Sequence, residues 1–233
     1  MNIIVTGASR GIGYQAALKL ANKCGHNILA IARSEEKLIS LKNKVEAEHP
    51  SSNLDYLVFD FYKGDYTELE YQIKNHFSHI DVLINNAGYL DAKPFLEITP
   101  SNFDQTFAVN IKAAFLLSQI AVPLMKEGAH IVNISSMGGF QGSVKFPGLS
   151  VYSASKGAVS LFTESLAFEL MEKGIKVNAL AFGAVNTDML HSAFPDYNAP
   201  LSAEEMGEYL ADFACSAGKY YNGKVLPVSV STP

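Results

Sequence analysis

Tyr152 and Lys156 stand four positions apart in Tyr152-Ser153-Ala154-Ser155-Lys156, and Ser135-Ser136 closes an apolar run upstream. The spacing of Ala158, Leu161, Phe162, Leu166 and Leu170 predicts that the first group opens a helix, which puts Tyr152 and Lys156 on one face. An ammonium held near a phenol favours the phenolate and lowers the phenol's pKa toward working pH. Such a phenol can give a proton to a carbonyl oxygen as hydride reaches the carbon, or take one back in the reverse direction. Ser136 can hydrogen-bond the same oxygen while negative charge builds on it. Tyrosine and lysine fall at this spacing on many helices by chance, so the reading needs an electron source elsewhere in the chain.

Asn2 to Thr6 is a β-branched run that breaks into Gly7-Ala8-Ser9-Arg10-Gly11-Ile12-Gly13, before an Ala/Leu-rich helix reaching about Lys23. A strand, a glycine turn and a helix N-terminus make a place for a diphosphate, because backbone can approach closely and unpaired N–H groups point at the anion. The glycines stand at 7, 11 and 13, which is not the G-x-G-x-x-G spacing. Close packing of helix on strand would also explain them, but the position directly after the first strand favours a cofactor turn.

The second strand, Asn27 to Ala32, ends in Arg33-Ser34, where an acidic residue would hold a ribose 2′-hydroxyl. Arg33 there, with Arg10 close by in the glycine turn, predicts a grip on a 2′-phosphate and so NADP(H) in preference to NAD(H). Ser34 before Glu35-Glu36 reads as a helix cap. Leu54 to Phe59 is a third strand followed by Asp60-Phe61 at the ligand-binding edge; Asp60 can accept from an adenine amine or cap the next helix. Asp81 to Ile84 is a fourth, ending in Asn85-Asn86-Ala87-Gly88, whose small residues let backbone lie against a ring and whose asparagines can tie strands together.

Ser101 to about Met125 has helical spacing with Asn110 in its middle, a poor helix-interior residue that calls for a bound water or a backbone contact. His130 to Ile134 is a fifth strand delivering Ser135 and Ser136, and Met137 to Val151 is a glycine-rich loop bearing Phe140, Phe146 and Leu149. Lys176 to Ala181 is a sixth strand, a helix follows near Glu204 to Ala217, and Lys224 to Val230 is the last strand. Strict alternation with nearly continuous apolar strands predicts an α/β fold, a doubly wound parallel sheet of about seven strands with helices on both faces. No repeat or linker divides residues 1–233, so a single domain is expected, with a cofactor half to about residue 130 and a catalytic and substrate half after it.

The chain has 233 residues, 48% hydrophobic, with a net charge of −5 and no Lys/Arg cluster, which argues against nucleic acid as a partner. No uninterrupted apolar stretch reaches bilayer length, so no membrane span is expected. Met1 and Asn2 lead straight into Ile3-Ile4-Val5 without a leader, and a cytoplasmic protein is expected. Cys24 and Cys215 have no metal or redox spacing, and His76 and His79, near one helix end, are expected to be solvated rather than liganding; no metal site is expected.

These motifs together resemble the short-chain dehydrogenase/reductase (SDR) family over essentially the whole chain, and with it a Rossmann fold. Thr6 to Gly13 resembles the family's cofactor turn, and Asn85-Asn86-Ala87-Gly88 its sheet-stabilising motif. Asn110, Ser136, Tyr152 and Lys156 fall on its catalytic tetrad in order. The resemblance implies that Tyr152 is the acid/base and that Lys156 lowers its pKa and holds the nicotinamide ribose. Ser136 would orient the substrate carbonyl, and Asn110 would hold a water that continues a proton relay. Asp60 resembles the adenine contact, and Val185 with Thr187 the carboxamide contacts.

Three departures stand out: a longer stretch between Ser136 and Tyr152, Phe182-Gly183 where Pro-Gly is usual, and a tail, Val228 to Pro233, without the acidic-diglycine ending. The family commonly pairs through the helix from Ser101 and the one after Tyr152, implying a homodimer or homotetramer. The expected function is an NADPH-dependent carbonyl reductase or alcohol dehydrogenase. Tyr89, Leu90, Phe140, Phe146, Phe182, Phe194 and Tyr197 suit an apolar or ring-bearing ketone or secondary alcohol. A 3-oxoacyl thioester and a small ketone or diketone are the candidates, and the short Leu190 to Pro200 segment favours the small one. A non-catalytic NADP(H)-binding regulator, or an epimerase or dehydratase of the same family, are the alternatives.

Overall fold

All five residues of the strand Asn2–Thr6 (β1) are buried. Ile3 and Val5 pack into one apolar layer and Ile4 into another, so the strand needs cover on both faces. The computed structural model describes residues 1–22, 25–49 and 51–230. In it β1 is followed by Asn27–Ala32 (β2), Asn53–Val58 (β3), Ile80–Asn85 (β4), Met125–Ser136 (β5), Lys176–Phe182 (β6), Val185–Asn186 (β7), Leu201–Ser202 (β8) and Val225–Val228 (β9). Seven of these form one parallel sheet in the order β3-β2-β1-β4-β5-β6-β9, while β7 and β8 pair as a separate ribbon.

The helices are Gly11–Ala21 (α1), Glu35–Glu48 (α2), Tyr66–His76 (α3), Pro100–Phe107 (α4), Ala113–Ala121 (α5), Ser150–Glu169 (α6), Asp188–Ala193 (α7) and Ala203–Ser216 (α8). Leu20 of α1, Leu38 and Leu41 of α2, and Leu210 of α8 close one face of the sheet. Leu69 and Ile73 of α3, Leu117 and Ile120 of α5, and Ala167 of α6 close the other. Each fully buried leucine or isoleucine contributes about 1.5–3 kcal/mol, and that holds the layers together. The strand order reverses between β1 and β4, so the crevice beyond their C-terminal ends is where a ligand binds.

Several sequence expectations need correction. The helix expected from Ser101 to Met125 runs from Pro100 to Leu124 and carries a π turn at Ala108–Lys112 that the sequence did not announce, while Met125 already belongs to β5. Along β5 the pairing with β4 shifts register between Ile80 and Val82, near Gly128 at φ +88°. The last strand is shorter than Lys224 to Val230. Cys24, the expected end of α1 at Lys23, and Ser231 to Pro233 lie outside the described residues.

His76 and His79 are partly exposed, each beside one carboxylate, Asp55 at 3.8 Å and Asp81 at 3.7 Å. By length and composition Pro100–Leu124 is long and apolar enough to cross a membrane, contrary to the reading of the sequence. Here it lies on the sheet, with Asn110, Leu117 and Ile120 buried. The β7–β8 ribbon was not foreseen, since two-residue strands carry no periodicity.

Candidate active site

The glycine turn is built to admit a phosphate. Gly7 takes φ +68°, which only glycine adopts without strain, and its amide donates to the Ile31 carbonyl at 2.8 Å. Thr6 Oγ1 accepts from the amides of Asn86 and Ala87 at 3.0 and 2.9 Å, and Asn86 Nδ2 donates to the Thr6 carbonyl at 2.9 Å. These bonds lock the end of β4 to the end of β1. Gly13 does not line the cleft; a methyl group on it would collide with Asn86 Nδ2 and the Gly7 carbonyl, so its role is close packing.

At the start of α1, Arg10 is extended, no side chain caps the first turn, and no acidic residue stands in it. The first-turn amides are therefore open to an anion, and the turn fits the diphosphate of a dinucleotide.

A cleft of about 830 Å³ runs from this turn across the sheet edge. Gly7, Ser9, Arg10, Gly11, Ile12, Arg33, Asp60, Phe61, Asn86, Ala87, Gly88, Val185 and Thr187 line it, as expected from the sequence. Ser34, Lys37, Met137, Asp188, Met189 and Leu190 line it too and were not foreseen as site residues. Ser34 precedes α2 without capping it, contrary to expectation, so its hydroxyl is left for the cleft. Asp60 does not cap the next helix; its carboxylate accepts from the Tyr62 amide at 2.9 Å, and Asp65 is the cap of α3.

The two arginines are placed differently from the expectation. Arg10 reaches across the cleft to Asp188 at 3.9 Å. Arg33 lies in range of the Tyr89 phenol, which burial pushes up; Asp91 adds to that rise, and Lys93 and Arg33 oppose it.

At the other end of the cleft, α6 presents Tyr152 and Lys156. Its register is fixed two turns further on, where Asn85 Nδ2 donates to Asn133 Oδ1 at 2.8 Å and Asn133 Nδ2 to Thr163 Oγ1 at 2.9 Å. The paired serines separate clearly. Both border the cleft, but the buried Ser135 hydroxyl is spent on the Lys156 carbonyl at 2.8 Å, whereas Ser136 hydrogen-bonds the Tyr152 phenol. The reading of Ser136 over Ser135 as the residue beside the phenol follows from this split.

The electrostatics differ from the expectation for Tyr152. Burial raises its pKa, and the Ser136 hydrogen bond opposes that rise only in part. Burial also holds Lys156 down, to about 8. The Lys156 ammonium donates to the Ile134 carbonyl at 2.7 Å and lies 6.0 Å from the centre of the Tyr152 ring. Desolvation, invisible in residue spacing, outweighs the attraction of the two groups. A phenol held protonated is the form that donates to a carbonyl oxygen.

Asn110 stands behind the cleft wall rather than in it. Its Oδ1 accepts from the Tyr89 amide at 2.7 Å, and its Nδ2 donates to the Tyr89 carbonyl and to Ser155 Oγ, both at 2.9 Å. The backbone contact anticipated for it is thus present, and both amide hydrogens are spent on protein. Ser155 itself was missed, although it sits inside the Tyr152–Lys156 motif.

On the substrate side, Tyr89, Leu90, Phe146, Phe182, Phe194 and Tyr197 line the cleft as expected, but Phe140 does not. It faces a separate outer groove.

Comparison with known proteins agrees with this arrangement. The profile described as short chain dehydrogenase matches residues 1–198. Versicolorin reductase stcU of Emericella nidulans is 35% identical over 198 residues, covering 83% of this chain and 72% of the relative. Carbonyl reductase [NADPH] 2 of Sus scrofa is 34% identical over 199 residues, covering 84% and 76%. A crystal structure of a short chain dehydrogenase from Burkholderia cenocepacia in complex with NADP superposes with a TM-score of 0.87 at 28% identity, covering 99% of this chain and 96% of that one. A glycine turn open to a dinucleotide, a tyrosine and lysine at the opposite end of one cleft, and a sequence match over most of the length lead to one conclusion: the chain belongs to the short-chain dehydrogenase family, as an NAD(P)-dependent oxidoreductase.

Proposed function

We propose that the protein is an NADPH-dependent carbonyl reductase acting on an apolar, ring-bearing ketone. The observation that carries this reading is the Tyr152 phenol, protonated by burial and bonded to Ser136, in the same cleft as the glycine turn. Ser136 and Tyr152 orient the substrate carbonyl, and Tyr152 gives its proton to the carbonyl oxygen as the carbon is reduced. The reduced nicotinamide supplies the hydride when bound. Lys156, charged below about pH 8, places a cation behind the phenol and favours the developing phenolate. Asn110 holds the Tyr89 backbone and, through Ser155, the first turn of α6.

Arg33, Ser34 and Lys37 at one corner of the cleft support NADPH over NADH, since two cations and a hydroxyl suit a 2′-phosphate. Val185 and Thr187 serve the carboxamide, and Asp60 and Phe61 the adenine. The carbonyl and versicolorin reductases among the relatives support ketone reduction. Met137, Phe182, Met189 and Phe194 give the substrate side an apolar lining that suits a ring better than a charged thioester carrier.

The test is loss of NADPH absorbance against a panel of aryl ketones and diketones. Turnover supports the reading, and NADPH binding without turnover of any of them would contradict it. We further propose a homodimer or homotetramer through α4, α5 and α6, whose Phe103, Phe115, Leu161 and Phe168 are exposed. Sedimentation as a monomer would contradict that.

A further inference from the structure

Beyond the Tyr152 end of the cleft lies an outer groove of about 710 Å³, walled by Phe95, Phe140, Lys145, Pro147 and Ala154. The cleft and the groove share Gly138, Phe146 and Leu149. Gly138 has no side chain to remove, and Leu149 is buried at 6% exposure. Phe146, at 40% exposure, is therefore the shared side chain that can be shortened without opening the core.

Its ring meets that of Phe194, just after α7, edge to face, with centroids 6.3 Å apart and planes at 62°. A wall from the loop before α6 thus meets one from the segment after α7. The loop bearing Phe146 is pinned in place. Lys93 N donates to the Gly148 carbonyl at 3.0 Å, and Leu149 N to the Phe146 carbonyl at 3.3 Å. Lys145 Nζ donates to the Phe140 carbonyl at 2.7 Å and to Ser143 Oγ at 2.6 Å. Phe146 thus stands between the two spaces.

We infer that Phe146 is a specificity-determining residue, which sets the largest carbonyl substrate by closing the cleft off from the outer groove. The glycine-turn end of the cleft belongs to the dinucleotide, so the substrate has only the part among Tyr152, Phe182 and Phe194. A fused multi-ring ketone extends furthest from Tyr152 and is the substrate that needs the space beyond. Shortening Phe146 joins the two spaces and lets a distal ring lie against Phe95 and Pro147. The inference rests on the carbonyl-reductase reading for its kinetic readout.

The experiment compares the parent with Phe146→Ala, Phe146→Leu and Phe140→Ala. Each is assayed for kcat/KM with NADPH on a one-ring and a three-ring aryl ketone. Dissociation constants of the same ketones are read by quenching of NADPH fluorescence in the enzyme–NADPH complex. Phe146→Ala is expected to raise the three-ring to one-ring ratio about tenfold or more, and Phe146→Leu by less. Phe140→Ala, which alters the outer groove alone, should leave the ratio unchanged. If Phe146→Ala melts well below the parent, Phe146→Leu decides. An unchanged ratio in the Phe146 variants, or an equal shift from Phe140→Ala, overturns the inference. A parent that turns over neither ketone defeats the reductase reading, and the affinity ratio still decides the role of Phe146.

Discussion

The Lys156 ammonium lies 6.0 Å from the centre of the Tyr152 ring, and the desolvation of both groups governs how each holds its proton. Burial keeps the phenol protonated and weakens the lysine's hold on its own charge. Reduction needs both protons in place, so the pH behaviour of the site follows from Lys156.

As pH rises through about 8, Lys156 loses its charge while Tyr152, pushed up, stays protonated. The developing phenolate then has no cation behind it. The kcat/KM for ketone reduction is expected to be flat on the acid side and to fall on the alkaline side with an apparent pKa near 8. A profile still flat well above that pH would contradict the assignment.

Stability should respond in the opposite sense. The pKa of Lys156 is about 8 folded against 10.5 as the ordinary value. Between those values the unfolded chain binds more protons, so this lysine's destabilising effect is full below pH 8 and is relieved by pH 10.5. Lys156→Met is expected to abolish most turnover without lowering the Tm at neutral pH. Any advantage over the parent should shrink as pH rises through that window, as thermal melts at several pH values would show.

Strand positions were legible in the sequence because both sheet faces are covered: Asn27–Ala32 reads as a continuous apolar run and is the second strand. The anomaly at Asn110 was also visible, though not the π turn that accommodates it. The raised phenol was hidden, since spacing places Lys156 near Tyr152 but says nothing of how much water reaches them. The partner of Arg10 was hidden for a different reason. Asp188 lies far along the chain, and only the folding of α7 over the cleft brings the two together. Phe140 and Phe146 look alike in the loop, yet Phe146 borders both the cleft and the outer groove while Phe140 borders the groove alone.

Arg33→Asp places a carboxylate where the 2′-phosphate is expected. NADPH affinity should fall about 10–100-fold, as when a charge-assisted contact becomes a repulsion, while NADH affinity holds or improves. Dissociation constants for both dinucleotides, by fluorescence titration, would show the gap narrowing. An unchanged preference would move the 2′-phosphate site away from β2.

Ser155→Ala removes the acceptor for one Asn110 amide hydrogen at the first turn of α6. The loss of one buried hydrogen bond should lower kcat about tenfold while the NADPH dissociation constant stays near that of the parent. Ser155→Thr, which keeps the hydroxyl, should restore part of the rate. Equal loss in both variants would mean that packing, and not this bond, is what matters.

The most direct measurement compares NADPH oxidation by the parent and by Tyr152→Phe on the best ketone, with NADPH affinity determined on the same samples. The variant keeps the ring and deletes the proton. The expected result is a fall in kcat of about 10²–10⁴-fold with NADPH binding nearly intact. A variant that still reduces the ketone at a rate close to the parent's would show that the proton comes from another group, and the account of this site would be wrong.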